Sequence, residues 1–141
     1  MEHKQLLTVF NSLPVGIGFF TADGTLVRCN ESFCRIFGAD SQTLLGNKLN
    51  INENSVVPDV VKEAVRRCVP VQMSFLYDFD KQRTDKRFFS TRTRTCYLKC
   101  NGNPLYDNDG KFVNYIFIFE DITETVKRVL RQIWWYFFYC E

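Results

Sequence analysis

Histidine is nearly absent from this sequence of 141 residues, in which His3 is the only one. A Ser-His-Asp or Cys-His nucleophilic site and a multi-histidine zinc site each need an imidazole inside the fold, so all three are excluded. Residues this close to a terminus are usually poorly ordered, which argues against His3 as a haem ligand. The Asp, Glu, Lys, Tyr and Cys residues form no paired catalytic constellation, and we therefore expect a protein that is not an enzyme.

Long apolar runs are also missing. A membrane-spanning helix needs about 20 apolar residues, whereas the run IWWYFFYC from Ile133 to Cys140 has eight. This run can be a dimer-facing helix end, the start of a truncated membrane segment or an artefact of where the chain stops, and the sequence alone does not decide among them. The N-terminus MEHKQLLTVF lacks the apolar core of a signal peptide, so we expect a cytoplasmic protein with no membrane segment in this chain.

A strong net charge is lacking too, because 18 basic and 16 acidic residues give +2. The distribution is less even between residues 81 and 99, where Asp85 is the only acidic residue. Seven basic residues lie there: Lys81, Arg83, Lys86, Arg87, Arg92, Arg94 and Lys99. With Phe88 and Phe89 they can form either a platform for single-stranded nucleic acid or a solvated strand edge that blocks further pairing. The near-neutral total favours the strand edge, so we expect no nucleic-acid partner.

The cysteines form no Cys-x-x-Cys pair, and without histidine partners their spacing is not that of a zinc site. The six are Cys29, Cys34, Cys68, Cys96, Cys100 and Cys140. In a cytosolic chain such residues are mostly reduced and buried. We therefore expect no metal site, and we interpret Cys96 and Cys100 as small buried residues in preference to a redox pair.

Apolar spacing and turn residues predict the order of the secondary structure. The first half contains a helix over 3–13 ended by Pro14, strands over 16–21 and 25–29 around an Asp23-Gly24 turn, a helix over 31–37 capped by Asn30, and a helix from Ser41, as N-cap, to Gly46. A polar loop over 47–55 comes next. The second half contains a helix over 58–67, strands over 71–79, 95–105 and 112–120, a hairpin turn over 107–110, and a final helix from Asp121.

Aromatic residues are abundant, with 14 Phe, 6 Tyr and 2 Trp, and they make the last strand apolar on both faces. One face carries Val113, Tyr115, Phe117 and Phe119, and the other carries Ile116 and Ile118. A strand that is apolar on both sides must be covered on both sides. We expect the N-terminal helix or a partner subunit to cover Ile116 and Ile118.

The final helix also has an apolar stripe at three- and four-residue spacing. It comprises Val126, Val129, Leu130, Ile133, Trp134 and Phe137. No obvious surface of this domain remains for the stripe to cover, so a helix that pairs with its twin explains it best.

Two blocks of the sequence carry a combination of motifs. They are LPVGIGFFTADGTLVRCNESFCRIFGADSQTLLGNKL (13–49) and NPLYDNDGKFVNYIFIFEDITE (103–124). The first block resembles the first half of a PAS domain, a sensor module, and the second resembles the last hairpin and Asp-Ile-Thr exit motif of that family. The resemblance implies an α+β fold, in which a five-stranded antiparallel sheet carries short helices on one face. It also implies a flanking helix over 1–13, a PAS core over 14–122 and a truncated signalling or dimerisation helix over 123–141.

As a whole, the sequence resembles the PAS modules of bacterial sensor histidine kinases. The resemblance implies a signal-sensing and dimerisation module, which passes a conformational change through the exit helix to a downstream kinase or other output domain of a longer protein. The alternative is a ligand-free PAS module for protein interaction, in a transcriptional regulator or other signalling protein. Flavin members carry a reactive cysteine in a motif that Phe33-Cys34-Arg35 lacks, and the long helix lacks the axial histidine of haem members, so we expect neither cofactor.

Candidate site residues follow from the same resemblance. A small apolar ligand would be lined by Phe33, Phe37, Val61, Met73, Phe75, Cys100 and Phe117, although a solid core is the favoured interpretation of these residues. Asp121 and Thr123 would cap the exit helix and transmit the signal. A homodimer would use Leu6, Phe10, Ile116, Ile118, Leu130, Ile133 and Trp134.

Overall fold

The computed structural model describes residues 2–83 and 90–139. Within these ranges, helices and strands follow one another in nearly the predicted order. The helices are α1 (His3–Ser12), α2 (Glu31–Phe37), α3 (Ser41–Gly46), α4 (Asp59–Arg67), α5 (Phe79–Gln82) and α6 (Thr123–Tyr139), with a 3₁₀ turn at Ile51–Glu53. The strands are β1 (Gly16–Phe20), β2 (Leu26–Cys29), β3 (Val71–Asp78), β4 (Thr95–Tyr106) and β5 (Phe112–Asp121).

The five strands form one antiparallel sheet in the order β2-β1-β5-β4-β3. β5, the last strand along the chain, is therefore the centre of the sheet, between β1 and β4. Its Tyr115, Phe117 and Phe119 are fully buried beneath the helices. α2 packs on β1 and β5, α3 on β2, and α4 on β3 and β4. This architecture confirms the predicted α+β fold.

The opposite face of the sheet is only partly covered. The Phe10 ring of α1 lies 6.0 Å from the Phe19 ring, and Phe19 pairs with Ile116 in the β1–β5 register. Ile116 is half-buried, whereas Ile118 keeps 36% of its surface exposed. The N-terminal helix therefore approaches this face, as expected, but leaves apolar surface at Ile118.

Two predictions about the segment between α2 and α4 are wrong. The N-cap of α3 is Asp40 and not Ser41, because the Asp40 carboxylate accepts the Thr43 amide at 2.7 Å. Residues 47–55 are not simply a polar loop, since Leu49 and Ile51 are both buried. The Leu49 carbonyl accepts the Leu26 amide at 2.7 Å, which ties the segment to β2 and turns its apolar side chains into the core.

Two side chains of the strands also differ from the expected alternation. The ladder between β4 and β5 shifts register beside Leu105, so that Tyr106 faces Phe112 and Val113 is displaced outward. Val113 is therefore 52% exposed and does not share the buried face of Tyr115. Phe79 begins α5 and does not end a strand, because the Asp78 carboxylate caps that helix.

The predicted strand edge between residues 81 and 99 is wrong for its described part. β4, which carries Lys99, lies inside the sheet, between β5 and β3. Arg83 pairs with Asp80 at 2.7 Å and donates to the Arg92 carbonyl, also at 2.7 Å, so it holds a loop together. The prediction for Lys86, Arg87, Phe88 and Phe89 lies outside the described residues.

Candidate functional site

The space between α2 and the sheet is filled by aromatic rings. The Phe33 and Phe37 rings lie 4.6 Å apart on one side of α2, and the Phe119 ring of β5 lies 5.2 Å from Phe37 and 6.0 Å from Phe33. Tyr77 adds an edge contact to Phe37 at 5.4 Å. Tilted and edge-on pairs of this kind stabilise a core beyond their buried area. The predicted aromatic lining is therefore brought together as a packed cluster.

A small enclosed cavity of about 10 Å³ remains in this cluster. That volume holds about one water molecule and no organic ligand. Of the predicted pocket residues, Phe33, Phe37 and Phe75 line it. The others lie elsewhere in or beside the core: Val61, Cys100 and Phe117 are buried, and Met73 is half-buried. The arrangement matches the solid-core interpretation of these residues.

Sequence reasoning missed a polar contact at this cavity. Asn54 and Tyr77 both line it, and the Asn54 side-chain amide donates to the Tyr77 hydroxyl at 2.8 Å. Tyr77 is fully buried and Asn54 is 8% exposed. The alternation of Phe75 and Tyr77 indicated a buried tyrosine that needs a partner. Nothing in the polar segment around Asn54 indicated that it would supply one.

The buried cysteines of β4 face the core as neutral thiols. Burial raises the pKa of Cys100 to about 12. Burial, assisted by the charge of Asp121, raises the pKa of Cys96 to about 11. Because the thiolate is the reactive form, these two groups are poor nucleophiles at neutral pH.

The start of α6 is fixed to the sheet by Asp121 and Thr123. The Asp121 carboxylate accepts the Thr123 amide at 3.0 Å and the Thr123 hydroxyl at 2.5 Å. The same hydroxyl accepts the Tyr97 amide of β4 at 3.0 Å, and the Ile122 amide donates to the Tyr97 carbonyl at 2.9 Å. The two predicted residues therefore lie at a junction of β4, β5 and α6.

Arg92 connects this junction to α2, although its position in a basic segment gives no sign of this role. Its guanidinium lies 3.2 Å from the Asp121 carboxylate and donates to the Ile36 carbonyl of α2 at 2.9 Å. It also lies 4.7 Å from the centre of the Phe79 ring. One side chain thus contacts α2, which bears Phe33 and Phe37, the ring of Phe79, and Asp121, two residues before α6.

Opposing effects act on the Asp121 carboxyl. Burial alone would raise its pKa, but the hydrogen bonds from Thr123 and the positive charge of Arg92 together outweigh burial and lower the pKa below its usual value. Asp121 is therefore an anion at neutral pH, which its ion pair with Arg92 requires.

The predicted dimer residues fall into two surfaces. Leu6 on α1 is 54% exposed, close to Phe10, which packs on Phe19 within the chain. On α6, Leu130, Ile133 and Trp134 are each about half exposed. α6 extends from the junction with no buried residue along its length.

The chain belongs to the PAS fold family, whose model matches residues 10–127. The match spans the sheet, the aromatic cluster and the first turn of α6. Among curated proteins, none matches this sequence.

Solved structures show the same fold. An RNA-binding Light-Oxygen-Voltage receptor aligns with a TM-score of 0.69 and 18% identity, over 92% of this chain but 36% of that one. A PAS domain from Colwellia psychrerythraea aligns at 0.64 and 16% identity, over 86% of this chain and 97% of that one. A PAS domain from a two-component sensor histidine kinase aligns at 0.60 and 14% identity, over 84% and 94%. The chain thus spans about a third of the Light-Oxygen-Voltage receptor.

The aromatic cluster does not fit the flavin of one such relative, a Light-Oxygen-Voltage domain studied with a flavin analogue. A cavity of about 10 Å³ leaves no room for an isoalloxazine ring, and its lining includes no cysteine. Across residues 2–83 and 90–139, no cluster of three metal-ligating side chains occurs. In the same ranges no helix has the length and hydropathy to cross a bilayer.

Proposed function

We propose that this chain is a signal-sensing and dimerisation module of a bacterial signal-transduction protein, of the sensor histidine kinase type. It would pass a conformational change through α6 to a kinase or other output domain, and it would have no catalytic role of its own. The family and its relatives from sensor kinases support a sensing role.

The observation that carries the proposal is the contact set of Arg92. Its guanidinium donates to the Ile36 carbonyl and pairs with Asp121, so a shift of α2 changes the anchor of α6. Ile36 lies between Phe33 and Phe37 in sequence, so a repacking of these rings that shifted α2 would move its carbonyl. The proposed path therefore runs from the aromatic cluster through α2 and Arg92 to Asp121.

A ligand-free interaction module is the second candidate, and the packed core favours it. A cavity of about 10 Å³ offers no preformed site for a small molecule. The input would then come from another protein or from flanking helices. Both candidates use the Arg92–Asp121 path for output, and they differ in where the input acts.

Dimerisation rests on the exposed apolar stripe of α6. Val126, Leu130, Ile133 and Phe137 repeat at four- and three-residue intervals, which is the spacing of a two-stranded coiled coil. Leu130 and Ile133 keep 53% and 47% of their surface exposed within one chain. A parallel homodimer would bury them and place two output domains side by side.

A kinase chimera tests the transmission path. Residues 1–132 would replace the sensor domain of a sensor histidine kinase, with the heptad register maintained, and autophosphorylation would be measured. We expect Arg92→Ala and Asp121→Ala to change the activity while the domain stays folded, because each removes one partner of the ion pair. Arg66→Ala is the matched control, since Arg66 pairs with Glu63 on the outer side of α4.

Equal kinase activity in Asp121→Ala, Arg66→Ala and the unmodified chimera would contradict the transmission path.

Sedimentation equilibrium tests the dimer separately. Leu130→Asp would convert it to a monomer, whereas Val60→Asp, at an exposed position on α4, would leave it intact.

A further inference from the structure

The last seven described residues of α6, which we call the aromatic end (133–139), differ from the rest of the helix. Ile133 is followed by six aromatic residues without a polar one between them. Trp134 to Tyr139 each keep between 53% and 71% of their surface exposed. Such a concentration of exposed rings indicates a surface that is covered by something outside this chain.

The coiled-coil stripe accounts for only one side of the aromatic end. At about 100° per residue, Trp135, Phe138 and Tyr139 lie roughly 110–170° around the helix from the centre of the stripe. A two-stranded pairing buries one seam of each helix. These three rings would therefore stay exposed in the dimer proposed above.

The side of α6 that bears these rings is basic just before them. Lys127, Arg128 and Arg131 precede the aromatic end and lie away from the stripe. No acidic residue occurs between Thr125 and Tyr139. The surface thus carries three cations followed by a set of rings, which is complementary to a phosphate layer that borders an apolar layer.

Ring chemistry favours the interfacial zone of a bilayer, which lies between the lipid headgroups and the hydrocarbon core. Trp and Tyr are enriched in that zone, since their rings are apolar while their N–H and O–H groups stay hydrated.

We propose that α6 docks on a bilayer that contains anionic lipids. Lys127, Arg128 and Arg131 would contact lipid phosphates, and the rings of Trp135, Phe138 and Tyr139 would enter the interfacial zone. The stripe of Leu130 and Ile133 stays available for the homodimer, so the two associations use different sides of one helix.

Intrinsic fluorescence reports this docking directly, because Trp134 and Trp135 are the only tryptophans of the chain. The full chain would be titrated with vesicles of phosphatidylcholine alone and of phosphatidylcholine with phosphatidylglycerol. We expect the emission to shift to shorter wavelength, with co-sedimentation, only for the anionic vesicles. Replacing Lys127, Arg128 and Arg131 by Gln should weaken binding about fivefold per neutralised residue, and so about 100-fold together.

A charge-matched control replaces Lys4, Arg67 and Lys111, which are exposed elsewhere in the chain, by Gln and should bind as the unmodified chain does. Equal binding of both triple variants would overturn the proposal, as would equal binding to neutral vesicles. The proposal would also be overturned if the emission wavelength changed with protein concentration but not on addition of either kind of vesicle. The aromatic end would then be covered by a second copy of the chain.

Discussion

Replacement of Asn30 has an effect on stability that can be worked out bond by bond from the structure. Its side-chain oxygen accepts the Ile17 amide at 2.9 Å and the Phe33 amide at 3.0 Å. Its side-chain amide donates to the Phe10 and Val15 carbonyls, each at 2.9 Å. The residue is 1% exposed, so water is not available to replace these bonds on the inner side. Asn30 therefore joins α1, β1 and α2.

The cost of Asn30→Ala follows from the groups that it leaves unpaired. The Phe33 amide loses its N-cap, which costs about 1 kcal/mol. The Ile17 amide stays buried without an acceptor, which costs about 1–3 kcal/mol. The Phe10 and Val15 residues are half-buried, so their carbonyls regain water, and we assign them no further cost. The expected loss is about 3 kcal/mol, or ~10 °C in Tm for a chain of this size.

Urea unfolding followed by circular dichroism measures this loss, and Asn103→Ala, at an exposed position on β4, is the control. Asn30→Asp refines the test, since it keeps both accepted bonds and removes both donated ones. We expect it to lose at least as much free energy of unfolding as Asn30→Ala, because a buried carboxylate oxygen would face the Phe10 and Val15 carbonyls, while amide exchange in α1 becomes faster in both. A loss below about 1 kcal/mol in Asn30→Ala would refute the assignment of a buried cap.

Three further predictions concern packing, thiols and charge. Gly102→Ala should cost about 1–3 kcal/mol of stability, because the new Cβ would lie 2.6 Å from Phe117 Cε1. At Gly46 a new Cβ would have no such neighbour within 4 Å, so Gly46→Ala should not destabilise the chain. Thermal unfolding of both variants compares them. Cys96 and Cys100 should resist alkylation at pH 7.5 until the chain unfolds, as peptide mass spectrometry would show, and labelling of the native chain would contradict their burial. Asp121→Asn should lower the free energy of unfolding at pH 7. The difference in free energy from the unmodified chain should vanish as the pH falls through the lowered folded-state pKa of Asp121, because protonation then removes the same charge. A difference that persists at lower pH would contradict the ion pair.

Short-range sequence patterns predict most of the fold. Asn30 was recognised as an N-cap because a polar side chain immediately before an apolar helical face has few other roles. Alternation placed Tyr115, Phe117 and Phe119 on one buried face, and the structure confirms it. These inferences succeed because the deciding contacts lie within a few residues along the chain.

The errors occur where a contact between distant segments decides. A register shift opposite Leu105 turns Val113 outward, and the alternation of β5 alone cannot reveal it. Leu49 is drawn inward by its pairing with Leu26, across more than twenty residues of chain. Such positions depend on the assembled sheet, so a pattern within one segment does not specify them.

The candidate site divides in the same way. Asp121 and Thr123 were predicted from a compact motif, and their mutual hydrogen bonds are local. Arg92 was missed, since it reaches the Ile36 carbonyl across a separation of 56 residues. In the sequence it was one of several cations in a basic segment, and only the fold distinguishes it from Arg94.

The packed core constrains how the proposed module would receive a signal. A ligand larger than water cannot enter a cavity of about 10 Å³ unless side chains of its lining, such as Phe33, Phe37 or Phe75, change their position. Phe33 and Phe37 lie on α2, on either side of Ile36, whose carbonyl accepts the Arg92 hydrogen bond. A ligand that displaced either ring would therefore disturb the anchor of α6 in the same movement. A partner that pressed on α2 from outside would do so as well, without any cavity, so a small molecule and a protein would reach the output by one route.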